Sequence, residues 1–421
     1  MLRSILKNDL FKNISSLALI QVGNYIIPLL IVPYISRIIG IENYGKLEYA
    51  RTIVLYFTIF LDYGFNLTAT REISIHRDNK AKVNKIVTNT YIAKGLLFLL
   101  SILVFAPLVS INSSLNSLSL LLWVTFLINF GNFLFPLWFF QGVEKIASIA
   151  KINFIIKLLV VASVIFFIKE KADYWKYNLF LSLAQVCIGA YSIYILLVKY
   201  HIRFIKTTLK AILNKFKEGF KVFFSTILVS CFVSYAFILL KDVGTEMDVG
   251  AYSTANKLAM TIQVLILLPF SQAFFPFIAK TASNDIFKFE KLIKKASLVI
   301  IALTVIIGII SFFFSDLIIL LIFGKDYLYA SDTFKILAFL PVFTILNNLF
   351  SYQGLLSLNK DKLFMNIHIV FTLFVLMISY YLVPKYGLLS VAYIRLFSEI
   401  SLMSVSFFFL KKTLKKIKHD L

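Results

Sequence analysis

VTNTYIAKGLLFLLSILVFAPLV (87–109) is the stretch that decides the fold. Its residues are mostly apolar, and as a helix they extend about 35 Å at 1.5 Å per residue. That crosses a hydrocarbon core of about 30 Å. One residue in it, Lys94, is a cation. At such depth a charge costs about 2.5–3.5 kcal/mol unless it faces water or a partner, so Lys94 points into a protein interior rather than lipid. Eleven further stretches satisfy the same length rule, near 14–36, 44–66, 115–140, 149–168, 177–198, 222–240, 250–278, 296–314, 333–356, 363–383 and 388–410. The fold class is therefore all-α and integral to the membrane, with about 12 transmembrane helices. Arg51, Lys157, Lys257, Lys335 and Arg395 lie within these stretches as well. Together the six cations predict a hydrated basic cavity and an anionic cargo. Lys335, near a helix end, is expected to snorkel to the interface.

Composition agrees. The 421 residues are 60% hydrophobic, with a mean hydropathy of +0.86, which excludes a soluble globular domain. A net charge of +22 would suggest nucleic acid in a soluble protein. Here the basic residues sit in short connections between spans, so anionic membrane lipids are the expected partner and nucleic acid is not. Twenty-nine of the 43 Lys and Arg fall in connections sharing a side with both termini, against eight on the other side. The positive-inside rule then puts both termini in the cytoplasm. The tail Lys411, Lys412, Lys415, Lys416 and Lys418 would lie against the inner leaflet. The first apolar run is too long for a cleaved signal and reads as a retained helix. Cys187 and Cys231 both fall in apolar runs, and the four histidines have no ligand spacing, so neither a disulfide framework nor a metal site is expected.

The chain also repeats itself. GIENYGKLEYAR (40–51) leads from the first span into the second, and GTEMDVGAYSTANK (244–257) leads from the seventh into the eighth. FFQGVEK (139–145), between spans four and five, answers SYQGLLSLNK (351–360), between ten and eleven. This divides the chain into an N-terminal six-helix lobe (1–198), a cytoplasmic connection (199–221) and a C-terminal six-helix lobe with a basic tail (222–421). Because six is even, equivalent helices run in the same direction, and the lobes are expected to be related by a pseudo-two-fold along the membrane normal.

PYISRIIGIENYGKLEYA (33–50), DYGFNLTATREIS (62–74), LWFFQGVEKIASIAK (137–151), FGKDYLYASDTFKILAF (323–339) and LVPKYGLLSVAYIRLFSE (382–399) resemble, in order, segments of Wzx-type flippases. These form the polysaccharide-transport branch of the multidrug/oligosaccharidyl-lipid/polysaccharide exporter superfamily. The resemblance implies a MATE-like fold, with the two-lobed V shape of the superfamily's multidrug antiporters. It implies a transporter of undecaprenyl-diphosphate-linked repeat units of O-antigen, capsule or exopolysaccharide, in the bacterial cytoplasmic (inner) membrane. Polysaccharide assembly proteins are further partners that it suggests. No cofactor is implied, and coupling to H⁺ or Na⁺ stays open.

A diphosphate and several sugar rings lose solvation in hydrocarbon, and a basic groove between the lobes would offset that cost. Arg51 and Lys257, at near-equivalent places in the two repeats, are the first candidates for the phosphate contact. Lys94 and Lys157 would enter from the cytoplasmic side and Arg395 from the outer side. Each has a structural alternative. Glu48 precedes Arg51 by three residues and Glu399 follows Arg395 by four, spacings that share a helix face and suit internal ion pairs. Asp62, Arg71 and Glu72 are expected to form a gating or structural ion-pair network. Rival readings are a drug or toxin antiporter, a flippase of another lipid-linked precursor, and a membrane glycan polymerase. An antiporter for cations would need intramembrane carboxylates, and cations outnumber Glu48, Asp62 and Glu399 by two to one. A polymerase would carry a long outer loop or an acidic metal motif, and the sequence has neither.

Overall fold

With no water in a bilayer to satisfy backbone N–H and C=O groups, a chain this apolar has to close its hydrogen bonds within helices. The computed structural model describes residues 27–358 and 360–419 and contains no strand among them. In chain order the main helices begin with α1 (Ile27–Asp62), α2 (Phe65–His76), α3 (Lys80–Ile111) and α4 (Ser119–Leu134). Next come α5 (Leu137–Gly142), α6 (Ala147–Phe167), α7 (Tyr174–Tyr194), α8 (Leu209–Val243) and α9 (Glu246–Asn284). The series ends with α10 (Ile286–Phe313), α11 (Ser315–Ile322), α12 (Ser331–Leu337), α13 (Leu340–Asn347) and α14 (Asp361–His419).

Among the described residues seven helices are long and apolar enough to cross a membrane, or nine if each of two bent pairs is one span. Eleven of the twelve predicted stretches lie along described helices, whereas most of the first (14–36) precedes residue 27 and lies outside them. Part of the difference arises because neighbouring spans run together, as in Lys362–His419, which covers two predicted stretches. At 1.5 Å per residue α14 would be about 88 Å long, roughly three bilayer cores. It is divided at Gly387 (φ 61°, ψ −145°), a conformation closed to residues with a Cβ. Gly40 (φ 74°) kinks α1 in the same way.

The chain forms two compact units, Met1–Ile227 and Leu228–Leu421. In the N-terminal unit Ala69, Ile73, Val87, Trp138, Phe140 and Ile149 make the main core, and α4 and α7 pack closely. In the C-terminal unit Phe289, Ile293, Ile345, Leu349, Leu410 and Leu414 do so. The amphipathic connection expected between lobes is mostly helix. Only 200–208 is irregular, and α8 begins at Leu209 and continues through the seventh predicted span. The irregular part is clasped to α3: the Arg203 N–H donates to Asn84 Oδ1 (3.2 Å), the Ile205 N–H donates to Thr88 Oγ1 (3.1 Å), and the Thr207 hydroxyl donates to Asn89.

Candidate functional site

A polar cavity of about 350 Å³ opens inside the N-terminal unit, and Asp62, Lys94, Asn132, Asn153, Lys157 and Gln185 line it. Five segments supply these side chains. The left-handed pair Tyr63 and Gly64 (φ 45° and 78°) ends α1 immediately after Asp62 and turns the chain into α2, whose Asn66 joins the lining. α3 brings Lys94, the end of α4 brings Asn132, α6 brings Asn153 and Lys157, and α7 brings Gln185. The amide of Gln185 donates to Asn132 Oδ1 at 2.8 Å, which joins α7 to α4 across the cavity wall.

The position of Lys94 follows from a break between α4 and α5. In a continuous helix the Asn132 carbonyl would accept from the N–H of residue 136, but residue 136 is proline and has none. Phe135 is extended (φ −83°, ψ 105°), and α5 restarts at Leu137. Carbonyls at the end of α4 are released, and α3 supplies donors to two of them. The Tyr91 hydroxyl donates to the Leu134 carbonyl (3.0 Å) and Lys94 Nζ donates to the Asn132 carbonyl (2.9 Å). Lys94 is thereby held 3% exposed, with its ammonium at the cavity. Two lysines against one carboxylate give the formal lining a positive balance, suited to an anion with several oxygens.

The other sequence-selected residues lie elsewhere. Arg51 Nη1 donates to Glu48 Oε1 at 2.8 Å, its Nε donates to Asn178 Oδ1 at 2.9 Å, and its guanidinium lies 4.6 Å from the Tyr177 ring centroid. In the C-terminal unit Arg395 Nη2 pairs with Glu399 Oε1 at 2.9 Å, over the ring of Phe232. Lys257 is half-buried on α9, where its carbonyl accepts from Thr261. Lys335 reaches Asp332 (2.9 Å) and Asp316 (3.7 Å). Of the trio Asp62, Arg71 and Glu72, only Asp62 lines the cavity. Arg71 is exposed, and Glu72 pairs with Lys215 of α8.

Sequence reading missed Asn66, Asn153 and Lys215. The two asparagines had a signal, since each is an amide inside a predicted span (44–66 and 149–168). Lys215 had none: it stands among many lysines of the connection, yet is 4% exposed between Glu72 and Glu218.

A double-mutant cycle on Glu48 and Arg51 is expected to give a coupling of about 1–2 kcal/mol, as for half-buried charge pairs in contact. Thermal unfolding of Glu48→Gln, Arg51→Gln and the double variant measures it. Additive losses would mean the pair contributes nothing to holding α1.

The family described as "Polysaccharide biosynthesis protein" matches residues 10–282 of the chain. A curated relative, the "Putative O-antigen transporter" of Escherichia coli (strain K12), is 27% identical over 405 residues, 96% of this chain and 97% of the relative. Among solved structures, an inward-facing multidrug resistance MATE family transporter of the MOP superfamily superposes with a TM-score of 0.73. It is 14% identical, with 97% of this chain and 99% of that one covered. The lipid II flippase MurJ in an inward closed conformation superposes with a TM-score of 0.70 at 15% identity, over 91% and 87% of the two chains. These likenesses establish the fold: an all-α, multi-pass membrane protein of the MATE and MurJ kind.

Proposed function

The chain belongs to the polysaccharide biosynthesis protein family, and on that premise we propose that it is a Wzx-type flippase. In this reading it moves an undecaprenyl-diphosphate-linked repeat unit from the cytoplasmic to the outer leaflet of the bacterial inner membrane by alternating access, with both termini in the cytoplasm. The observation that carries the reading is the cavity that Lys94 and Lys157 share with Asp62 and four amides. A diphosphate entering hydrocarbon needs cations and hydrogen-bond donors where water is scarce, and this lining offers both. Lys94 and Lys157 are the phosphate contacts, and Asp62 keeps the site from trapping its cargo by offsetting part of their charge. Arg51 and Arg395, each held by a carboxylate and an aromatic ring, position their helices. The relative from Escherichia coli carries a transporter's name over nearly its whole length, which supports transport rather than glycan synthesis. The protein acts as a carrier with no bond made or broken.

Deleting the gene tests the reading. Complete lipid-linked repeat units should accumulate on the inner leaflet while surface glycan is lost. If the units instead remain unfinished, an enzymatic role replaces transport. If surface glycan is unchanged, the glycan reading is wrong.

A further inference from the structure

The C-terminal unit contains a second polar cavity, of about 260 Å³, whose chemistry differs from the first. Gln263 of α9, Asn347 of α13, Asn348 and Tyr352 of the following turn, and His368 and Glu399 of α14 line it. No lysine or arginine is among its described lining residues. Among those residues the one carboxylate, Glu399, is paired with Arg395 at 2.9 Å, so the described lining is formally neutral. Neutrality argues against both an anion and a free cation as occupant. What remains is a neutral ligand rich in hydrogen-bonding groups, because a wall with one buried amide and two half-buried ones suits an occupant that can exchange hydrogen bonds with them.

The groups are held in fixed orientations. Ser406 donates to Asn347 Oδ1 (3.1 Å) and Gln353 donates to Asn348 Oδ1 (3.1 Å), which sets the planes of both amides. His368 Nδ1 donates to the Phe364 carbonyl (2.9 Å), which leaves Nε2 of a neutral imidazole as an acceptor. Asn348–Leu355 is a π-helix, a local widening that alters the direction of each side chain on it and recurs at functional sites. It carries Asn348 and Tyr352 onto the cavity. Phe371 of α14 adds an apolar face to the same lining.

We propose that this cavity is a sugar subsite: Gln263, Asn347, Asn348 and Glu399 bind the hydroxyls of a neutral pyranose ring, whose C–H face packs on Tyr352 and Phe371. The proposal rests on the flippase reading, in which the cargo carries sugars.

The test measures binding by the full-length protein in nanodiscs, with two probes. One is the lipid-linked glycan extracted from cells lacking this gene, and the other is undecaprenyl diphosphate with no sugar. Wild-type protein should bind the glycan-linked lipid at least about tenfold more tightly. Gln263→Ala and Asn348→Leu should each weaken that binding about tenfold, as expected for lost hydrogen bonds at a desolvated site, and leave undecaprenyl diphosphate within about twofold. Gln263 is only half-buried, so its variant tests the site even if Asn348→Leu fails to fold. Unchanged glycan binding in both folded variants, or equal losses for the two lipids, would overturn the subsite. Equal wild-type affinity for the two lipids would overturn it too, with the flippase reading intact. Failure to bind either lipid would overturn the flippase reading itself.

Discussion

Replacing both Lys94 and Lys157 by alanine is expected to reduce export of lipid-linked glycan at least about a hundredfold while the protein still accumulates in the membrane. Each ammonium can make a charge-assisted hydrogen bond to phosphate, worth about 1.5–3 kcal/mol, so losing two removes about a hundredfold or more in binding. The single variants should separate. Lys94→Ala also strands the Asn132 carbonyl that Pro136 leaves without a backbone donor, so it lowers stability by about 1–3 kcal/mol as well as export. Lys157→Ala removes a half-buried lining cation and should lower export with less effect on stability. The measurements are surface glycan, the fraction of lipid-linked units on the inner leaflet, and protein level in the same cells. Normal export by the double variant would remove the N-terminal cavity from the transport path. An unrelated drug antiporter would give that same result.

Much of the architecture was legible because bilayer physics leaves few choices. A run such as 87–109 can only be a spanning helix, and the junctions of eleven such runs fall where the described helices bend or end. The spacing of Glu48 and Arg51, and of Arg395 and Glu399, also identified pairs found at 2.8 and 2.9 Å. The cavity was less legible because its members come from distant spans. Lys94 and Lys157 stood out as intramembrane cations, but nothing local said that they share one space with Asp62. That depends on how α3 and α6 are arranged around the break at Pro136. The proline was visible in the sequence. Its consequence, two released carbonyls met by Tyr91 and Lys94, needs the neighbouring helix to be known. The neutral cavity was hidden for a similar reason. Asn347 and Asn348 were visible as intramembrane amides, but a π-helix directs Asn348 and Tyr352, and no periodicity in the sequence marks such a widening. Lys215 shows the opposite failure, a buried ion-pair residue inside a connection whose other lysines are solvated.

Gly131→Leu is expected to remove folded protein from the membrane, by about tenfold or more in steady-state level. A Cβ at residue 131 would lie 2.5 Å from the Gln185 carbonyl carbon, 2.6 Å from the Val186 nitrogen and 2.7 Å from the Gln185 oxygen. These are backbone atoms of α7 and cannot rotate away as a side-chain tip can. The contact is mutual, since a Cβ on Gly189 would meet the Gly131 oxygen at 2.6 Å. Small residues facing each other allow two membrane helices to pack backbone to backbone, where dispersion is strongest. Separating α4 from α7 forfeits that packing, and overpacking alone costs about 1–3 kcal/mol and more against rigid backbone. The functional cost arrives earlier than the folding cost. Asn132 follows Gly131 directly and is bonded to Gln185 at 2.8 Å, so a shift of a fraction of an ångström opens the cavity wall. Gly131→Ala, with one methyl group, should therefore keep a measurable part of the protein but lose export disproportionately. Size-exclusion profiles of a fluorescent fusion, scored beside surface glycan, distinguish the two effects. A Gly131→Leu protein of normal abundance and normal export would mean that α4 and α7 are not in backbone contact in the working transporter.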